Sequence, residues 1–317
     1  MNMRPPITIV VPCLNGASHL RETLASLADQ AYPELDVVIE DGDSDDESVP
    51  IAEEFVRRYP RSFRAFAGSA AGPAQALNQG FAQARGEIFG FLEPGDVLLP
   101  GALESVAHEI APQRERYVVM GRCLFAGAGL GREGIEYPAE FSGHVEFLAI
   151  WKHGMSTVPQ PSVFWHRKVW ERLGGFDAGM RHAYDYELFC RYSRHYWFHS
   201  VDATWSAMRI FRELSIGQCS EAHLLELCVA ASRKHWGSWL TPKRWQCQVS
   251  HWVHSRHFHE NARHHARRAE SAFRERRRVV ALVETLRTFL YSPSMARDRL
   301  WKGWLARVRA RANGARP

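Results

Sequence analysis

The sequence predicts an α/β protein in which helices flank a mostly parallel sheet and a basic helical region follows. Apolar runs of strand length at residues 7–11, 35–39 and 88–92 alternate with segments of helical spacing. This alternation is typical of parallel sheets, because a helix returns the chain to the start of the next strand. The charge also divides the chain, since residues 1–210 carry −8 and residues 211–317 carry +13. We therefore predict a boundary near residue 210.

The individual elements follow from the spacing of apolar residues and from the residues that end each segment. Helices are predicted over residues 19–30, 50–59, 72–85, 100–110, 168–173 and 262–283, with another from about 185, and strands over 7–11, 35–39, 88–92 and 162–165. Ser18 is the expected N-cap of the first helix. Residues 126–143 are rich in glycine and lack periodicity, so we predict a loop there.

The composition is that of a globular protein, with 45% hydrophobic and 24% charged residues in a chain of 317. Its six cysteines form no Cys-x-x-Cys pair, which argues against a disulfide framework and favours a reducing compartment. The N-terminus has no secretory pattern, and no run of about 18 apolar residues occurs. We therefore expect a soluble protein of the cytoplasm.

Polar residues follow the first two predicted strands, at the edge where open parallel sheets bind ligands. Pro12 and Asn15 follow the first strand, and Glu40 and Asp41 follow the second. Pro12 and Asn15 are also ordinary turn residues. A carboxylate at the position of Asp41 can accept hydrogen bonds from a base or a ribose, or it can cap the following helix. Both interpretations stay open.

Two later segments also carry acids. Glu93-Pro94-Gly95-Asp96 follows the third strand, where carboxylates suit Mg²⁺, which takes one or two of them together with substrate phosphates. A simple Pro-Gly turn is the alternative. Asp185 stands at a predicted helix start, where it can act as a general base or only cap the helix. The four segments around Asn15, Asp41, Asp96 and Asp185 indicate a function by their order and spacing, although none of them does so alone.

Three stretches of the chain closely resemble family-2 glycosyltransferases with the GT-A fold, which is a Rossmann-like sheet flanked by helices. They read TIVVPCLNGASHLRETLASLADQAYPELDVVIEDGDSDD, GPAQALNQGFAQARGEIFGFLEPGDVLLPGALE and PQPSVFWHRKVWERLGGFDAGMRHAYDYELFCR, and they cover about residues 7–194 in the family's order. The resemblance implies a bacterial, inverting enzyme that moves a sugar from a UDP-, dTDP- or GDP-linked donor to a hydroxyl of a glycan or lipid-linked acceptor. Surface polysaccharide or glycoconjugate assembly is the implied setting.

The resemblance also implies roles for individual parts of the chain. Residues 1–210 would be the nucleotide-sugar-binding catalytic domain. The donor-binding residues would be Pro12, Asn15, Glu40, Asp41, Gln75, Asn78 and Glu93. Asp96 would hold a catalytic Mn²⁺ or Mg²⁺ that binds the diphosphate, and Asp185 falls where the family keeps its catalytic base.

The chain departs from the family pattern at several positions. Gly95 replaces a usual carboxylate of the metal loop, so Asp96 must carry more of the metal binding, with Glu93 beside it. A catalytically weak relative that binds nucleotide-sugars or a partner protein is therefore a second interpretation. Tyr184 stands where the family commonly has Glu. Residues 241–245 contain the Arg-Trp of processive members without their Gln, so a non-processive enzyme is predicted.

The basic region, residues 211–317, leaves alternatives open. Residues 262–290 place apolar side chains on one side of a helix and arginines elsewhere, and Trp301 and Trp304 follow. Such a helix can lie on an anionic membrane at the inner face of the cell, or it can pack on the catalytic domain or a second subunit of a homodimer.

Two other functions are disfavoured for the basic region. The histidines between residues 251 and 265 lack the partners of a metal site, so surface or packing roles are expected. Binding of nucleic acid would follow from charge alone, but no reader motif is present and the larger part of the chain is acidic. We therefore predict no nucleic-acid partner.

Overall fold

The computed structural model describes residues 4–68, 72–126, 134–137, 139–152, 156–209 and 221–254, together with Ala269 and Ser271. The chain divides into two compact units. The first comprises Met1–Ile150 and Gly154–His235, and the second Trp151–His153 and Trp236–Pro317. The first unit thus continues beyond residue 210, where the charge of the chain changes.

The first unit is built on one sheet. Its strands are β1 (Ile7–Cys13), β2 (Leu35–Asp41), β3 (Phe63–Ala67), β4 (Ile88–Phe91), β5 (Val97–Leu98), β6 (Val118–Ala126), β7 (Gly134–Tyr137), β8 (Val163–His166) and β9 (Phe198–Arg209). They lie in the order β3-β2-β1-β4-β8-β6-β9-β5, with β7 paired to β6. Strands β3, β2, β1 and β4 are parallel, and β8 is antiparallel to both β4 and β6. The predicted α/β fold is confirmed. Among the described strands the sheet is mixed, because β6 and β9 also pair in parallel, whereas β5 is antiparallel to β9 and β7 is antiparallel to β6.

Helices flank this sheet. In the first unit they are α1 (Ala17–Ala28), α2 (Ser48–Arg58), α3 (Pro73–Ala82), α4 (Ala102–Glu109), α5 (His144–Leu148), α6 (Arg167–Leu173), α7 (Tyr184–Tyr192) and α8 (Glu221–Arg233), and the second unit contains α9 (Pro242–His254). Each helix predicted within the first 194 residues is present, with ends shifted by a few residues. The helix predicted over 262–283 lies outside the described residues. No described helix has both the length and the apolar character needed to cross a bilayer.

Two local predictions are wrong. Ser18 does not cap α1, because the helix begins at Ala17, two residues earlier than predicted, and Gly16 occupies the N-cap position. The amides at this end donate instead to side chains between β2 and the start of α2: that of Gly16 to Ser48 Oγ at 3.0 Å and that of Ala17 to Asp46 Oδ2 at 3.0 Å. The loop predicted over 126–143 contains strand β7, which pairs with β6. Four residues are too few for a periodic pattern to predict this strand.

Apolar side chains cover both faces of the sheet. Because side chains alternate along a strand, Ile9 and Val11 of β1 join the core formed with α1 and α4, while Val10 faces α3. On the side of α3, the ring of Phe81 packs 5.6 Å from that of Trp165. The sheet is therefore buried on both sides, and its open edge is at the strand ends.

Candidate functional site

A cleft of about 690 Å³ lies beyond the carboxyl ends of β1 and β2. It is lined by residues that follow these strands, by the loop after β4 and by the start of α7, among them Pro12, Asn15, Gly42, Glu93, Tyr184 and Asp185. In the parallel pair, Pro12 stands opposite Glu40 and Cys13 opposite Asp41. The sheet thus brings the first two polar segments to the same edge.

Hydrogen bonds lock these two segments together. The carboxylate of Asp41 accepts from the backbone N–H of Ser44 at 2.9 Å and from its hydroxyl at 2.6 Å. Ser44 Oγ in turn accepts from the backbone N–H of Asn15 at 2.9 Å, and Asn15 Oδ1 accepts from the N–H of Asp45 at 2.9 Å. Asn15 has a φ of +53°, a left-handed conformation that Asn tolerates. The loop after β2 therefore fixes the conformation of the loop after β1.

Glu40 is buried beneath this edge, toward α3. A Cβ atom at Gly80 would lie 3.0 Å from Glu40 Cγ and 2.4 Å from Val10 Cγ1, so the helix can approach the sheet only with glycine there. Burial raises the pKa of Glu40 from its ordinary value of 4.5 to about 7. Glu40 is not among the residues that line the cleft.

The loop after β4 is held by a threonine of α1. Thr23 Oγ1 accepts from the N–H of Gly95 at 2.9 Å and donates to the carbonyl oxygen of Asp96 at 2.8 Å. Gly95 has a φ of +108°, which favours glycine over the carboxylate residue usual in the family. Asp96 is buried; this burial and the charge of Glu93 raise the pKa of Asp96 well above its usual range.

The first turn of α7 joins this loop. The hydroxyl of Tyr184 donates a hydrogen bond to Glu93 Oε1. Burial raises the pKa of the Tyr184 hydroxyl, and the nearby Glu93 carboxylate raises it further, so the hydroxyl keeps its proton. Asp185 is half-buried in the cleft, and burial followed by the charge of Glu93 raises its pKa to about 6. The third and fourth acidic segments therefore meet.

The position of α7 is fixed by contacts with Gly174 and Gly175, which form the Gly-Gly turn after α6. The guanidinium of Arg191 donates to the carbonyl oxygens of Leu173 and Gly175, each at 2.6 Å. The side-chain amide of Asn78 donates to the carbonyl oxygen of Phe176 at 2.9 Å and accepts from its N–H at 2.8 Å. Both polar atoms of Asn78 thus bind the backbone next to α7 rather than the cleft.

The predicted site residues therefore fall into three groups. Pro12, Asn15, Glu93 and Asp185 line the cleft, and Asp41 precedes Gly42, which lines it. Gln75 lies on α3 between Pro73 and Ala76, two lining residues, and Asp96 is buried behind the loop that contributes Glu93 and Pro94. Glu40 and Asn78 belong to the packing that supports the cleft.

Several residues of the site gave weak signals or none in the sequence. Thr23 is a polar residue on the buried face of α1, between Leu20 and Leu24. A polar side chain at an apolar position of the helix was the only indication in the sequence that it makes a specific contact. Phe125, Tyr137 and Met208 line the cleft from β6, β7 and β9, whose segments carry no recognisable motif. These strands could not be assigned to the site before the sheet order was known.

Within the described residues, no group of three or more His, Cys, Asp or Glu side chains is arranged to hold a metal ion. Glu93 and Asp96 are the acids of the predicted metal loop, and the charge of Glu93 adds to burial in raising the pKa of Asp96. A site with one or two carboxylates suits Mg²⁺ or a similar ion only when substrate phosphates complete its coordination.

Comparison of sequences places the chain among known proteins. The family model for glycosyl transferase family 2 matches residues 8–185. The GalNAc(5)-diNAcBac-PP-undecaprenol beta-1,3-glucosyltransferase of Campylobacter jejuni is 26% identical over 55% of this chain and 58% of that protein. An uncharacterized glycosyltransferase of Rickettsia typhi is 25% identical over 62% of each chain. The chain spans about three fifths of the length of these curated relatives.

Solved structures resemble the chain in fold. TarS of S. aureus in complex with UDP-GlcNAc aligns with a TM-score of 0.55 at 16% identity and covers 98% of this chain and 92% of that chain. The mannosyltransferase PcManGT of Pyrobaculum calidifontis, in complex with GDP-Man and Mn²⁺, aligns with a TM-score of 0.53 at 16% identity over 95% and 88%. With the family model matching more than half of its length, the chain has the GT-A fold and belongs to glycosyltransferase family 2.

Proposed function

We propose that the chain is an inverting glycosyltransferase that moves a sugar from a nucleoside-diphosphate sugar to an acceptor hydroxyl. One observation carries this proposal: Asp185 and the loops after β1 and β2 line the same cleft. Nucleotides bind at the carboxyl ends of parallel strands, so Pro12, Asn15 and Asp41 would hold the nucleotide part of the donor. Gln75, on α3 beside this edge, would contact the donor as well.

Asp185 would be the general base. A base at the acceptor must be ionised at neutral pH and still bind a proton well in the transition state. A pKa of about 6 meets both needs. Asp185 would take the proton of the acceptor hydroxyl. The oxygen of that hydroxyl attacks the anomeric carbon, and the nucleoside diphosphate leaves from the opposite face. This direct displacement inverts the anomeric configuration.

The residues of the β4 loop fit a divalent cation. Asp96 is buried beside the charge of Glu93, and both burial and that charge favour protonation of Asp96 unless a cation is near. We propose that Asp96, with Glu93 close by, would hold Mn²⁺ or Mg²⁺ together with the donor phosphates. When bound, the cation would offset the charge that develops on the departing diphosphate.

The donor and the acceptor are proposed by class. The relatives in fold bind UDP-GlcNAc or GDP-Man, which supports a UDP- or GDP-linked donor, and the dTDP-linked alternative follows from the family resemblance alone. The name of the Campylobacter relative describes an undecaprenol-linked acceptor. The rings of Phe125 and Tyr137, with centroids 4.7 Å apart, offer the cleft an apolar surface on which a sugar ring can stack. We propose a glycan or lipid-linked acceptor of a bacterial surface glycoconjugate.

Binding of the donor is tested first by thermal unfolding of the whole chain. UDP-, dTDP- and GDP-sugars are added with Mn²⁺, and ATP with Mn²⁺ is the control nucleotide. A ligand of the folded state raises the unfolding temperature, and at 100 times its Kd stabilises by about 2.7 kcal/mol. A rise with one class of nucleotide-sugar and none with ATP is expected. Equal or absent shifts throughout would contradict the proposal.

A catalytically weak relative that only binds nucleotide-sugars is the second candidate, and Gly95 in the metal loop favours it. Both candidates predict a thermal shift, but only the enzyme cleaves the donor. Release of nucleoside diphosphate therefore separates them.

A further inference from the structure

The second unit exposes a group of apolar side chains that the sugar-transfer proposal does not use. Trp239 and Leu240 precede α9 and are 58% and 93% exposed, and Trp245 and Val249 lie on α9 and are 54% and 53% exposed. Trp245 and Val249 are four residues apart and so share one face of the helix. The ring centroids of Trp239 and Trp245 are 5.8 Å apart. We name these four residues the tryptophan patch.

The patch is held in place by hydrogen bonds and ring contacts rather than by burial of its own side chains. Trp245 Nε1 donates to the carbonyl oxygen of Trp239 at 2.8 Å, and the N–H of Arg244 donates to Thr241 Oγ1 at 3.4 Å. The guanidinium of Arg244 lies 4.3 Å from the ring centroid of Trp239 and 5.0 Å from that of the buried Trp236. The large apolar side chains are therefore presented to solvent by an ordered turn.

The surroundings of the patch are cationic. Between Trp236 and His254 the second unit contains two Lys or Arg residues, Lys243 and Arg244, and no Asp or Glu, for a net charge of +2. Both lie on the first turn of α9, next to Trp245. Grouped exposed apolar residues on a protein surface mark an interaction site, whereas single ones do not. A partner of this surface should thus be apolar in one part and anionic in another.

Three occupants have this character to different degrees. A second copy of the chain would place one cationic surface against another of the same sign, because a two-fold interface uses the same surface of both copies. Single-stranded nucleic acid could stack on tryptophan, but the aliphatic Leu240 and Val249 offer no stacking. An anionic bilayer matches every component of the patch and its surroundings. Tryptophan favours the headgroup region, Leu240 can enter the acyl boundary, and the basic residues attract lipid phosphates.

We propose that the tryptophan patch binds the surface of an anionic lipid bilayer. This surface is different from residues 262–304, for which the sequence suggested membrane contact, and it does not depend on the sugar-transfer chemistry. The apolar side chains provide insertion and the basic residues provide attraction, so binding should need both anionic lipid and the patch. Binding should weaken with salt, since exposed charges are screened.

The test is co-sedimentation of the full chain with vesicles of phosphatidylcholine alone or with one quarter phosphatidylglycerol. The double variant Leu240→Ser, Trp245→Ser is compared with Trp197→Ser, which removes a tryptophan of the first unit that is also 54% exposed. We expect wild type and Trp197→Ser to bind the anionic vesicles, and the double variant to lose about tenfold or more of its partition coefficient. Circular dichroism verifies that each variant is folded.

Several outcomes would overturn the proposal. Failure of the wild type to bind anionic vesicles is one, and binding by the double variant as strong as that of the wild type is another. Binding of the wild type to neutral vesicles that equals its binding to anionic ones at all salt concentrations would also contradict the proposal. A change of oligomeric state in the double variant, measured by light scattering, or loss of binding to single-stranded DNA instead of vesicles, would assign the patch to another partner. Donor cleavage by the same preparations is measured in parallel, so failure here is distinguishable from failure of the proposed enzyme activity.

Discussion

The hydroxyl of Tyr184 donates a hydrogen bond to the carboxylate of Glu93, which joins the first residue of α7 to the loop after β4. The family pattern commonly has a glutamate at position 184, and a glutamate there would face Glu93 with a like charge. In this chain the acid and the hydroxyl are complementary. The bond connects the segment of the proposed base, Asp185, to the segment of the proposed metal-binding residue, Asp96.

Tyr184→Phe removes this hydrogen bond and keeps the ring. A hydrogen bond to a charged group contributes about 1.5–3 kcal/mol. Because this bond is already present in the free protein, only the part of its energy that orders Glu93 for the donor affects binding, and the donor Kd in Mn²⁺ should rise by roughly 3- to 10-fold. Isothermal titration calorimetry with the nucleotide-sugar found by thermal shift measures it.

Tyr186→Phe is the matched control. The hydroxyl of this neighbouring buried tyrosine donates to the carbonyl oxygen of Phe147 at 2.7 Å, and Tyr186 does not line the cleft. Its loss should lower stability and leave the donor Kd unchanged. Equal changes of Kd in the two variants would mean that the Tyr184 bond acts only on stability.

The rate of donor cleavage should fall on the acid side of pH 6. Burial, followed by the charge of Glu93, raises the pKa of Asp185 to about 6, and a base works only when it is deprotonated. Below this pH, kcat should therefore lose about tenfold per pH unit. A rate profile between pH 4.5 and 8 measures it. A rate that stays flat down to pH 5 would exclude Asp185 as the titrating base.

Glu40 should make folding pH-dependent. Its folded pKa is about 7 and its ordinary value is 4.5, so the folded state holds a proton that the unfolded chain has released between these values. The contribution of Glu40 to the free energy of unfolding is therefore complete below pH 4.5 and is lost as the pH rises through 7. Glu40→Gln stays neutral, so its stability relative to wild type should increase by on the order of 1–3 kcal/mol from pH 4.5 to 7.5.

Urea unfolding of wild type and Glu40→Gln at both pH values gives this difference, and circular dichroism checks that the fold is the same. A stability difference that is constant with pH would contradict the raised pKa. Activity is not the readout, because Glu40 lies next to the proposed nucleotide loops.

Gly175→Ala should loosen the turn that holds α7. A Cβ atom there would lie 2.3 Å from Asn78 Oδ1 and 2.5 Å from the Trp170 ring, so the amide of Asn78 must move away from Phe176. Overpacking of this kind costs about 1–3 kcal/mol, or roughly 2–12 °C in Tm for a unit of this size. Differential scanning calorimetry measures it.

Gly179→Ala is the control for this substitution, because its Cβ atom would meet only Asp177 Oδ1 at 3.4 Å. We expect little change in its Tm. If the two alanine variants unfold at the same temperature, the close approach at Gly175 is not a constraint on the fold.

The sequence predicts the part of this molecule in which local patterns and global structure agree. β1, β2 and β4 are apolar runs buried on both faces, and polar residues at their ends lie at one edge because the strands are parallel. β6 and β9 carry no comparable pattern, and their paired residues lie eighty or more positions apart in the chain. Their contribution to the cleft, through Phe125 and Met208, depends on that long-range pairing.

Side-chain direction was equally hard to predict. Asn78 and Asp185 belong to the same set of stretches that resemble the family, yet Asn78 uses both polar atoms on the backbone of Phe176, and Asp185 faces the cleft. A sequence motif gives the position of a residue along the chain. Its partner is set by the packing of α3 against the Gly-Gly turn, which no local pattern reports.

The role of Asp185 as the base is tested most directly by the release of nucleoside diphosphate from the bound nucleotide-sugar in Mn²⁺, measured for wild type and Asp185→Asn. Asp177→Asn is the control, since this acid of the same segment pairs with Lys234 and does not line the cleft. We expect slow release by wild type and by the control, and a decrease of about 10²- to 10⁴-fold in Asp185→Asn with donor Kd unchanged within a few-fold. Release by Asp185→Asn at the wild-type rate would contradict the account.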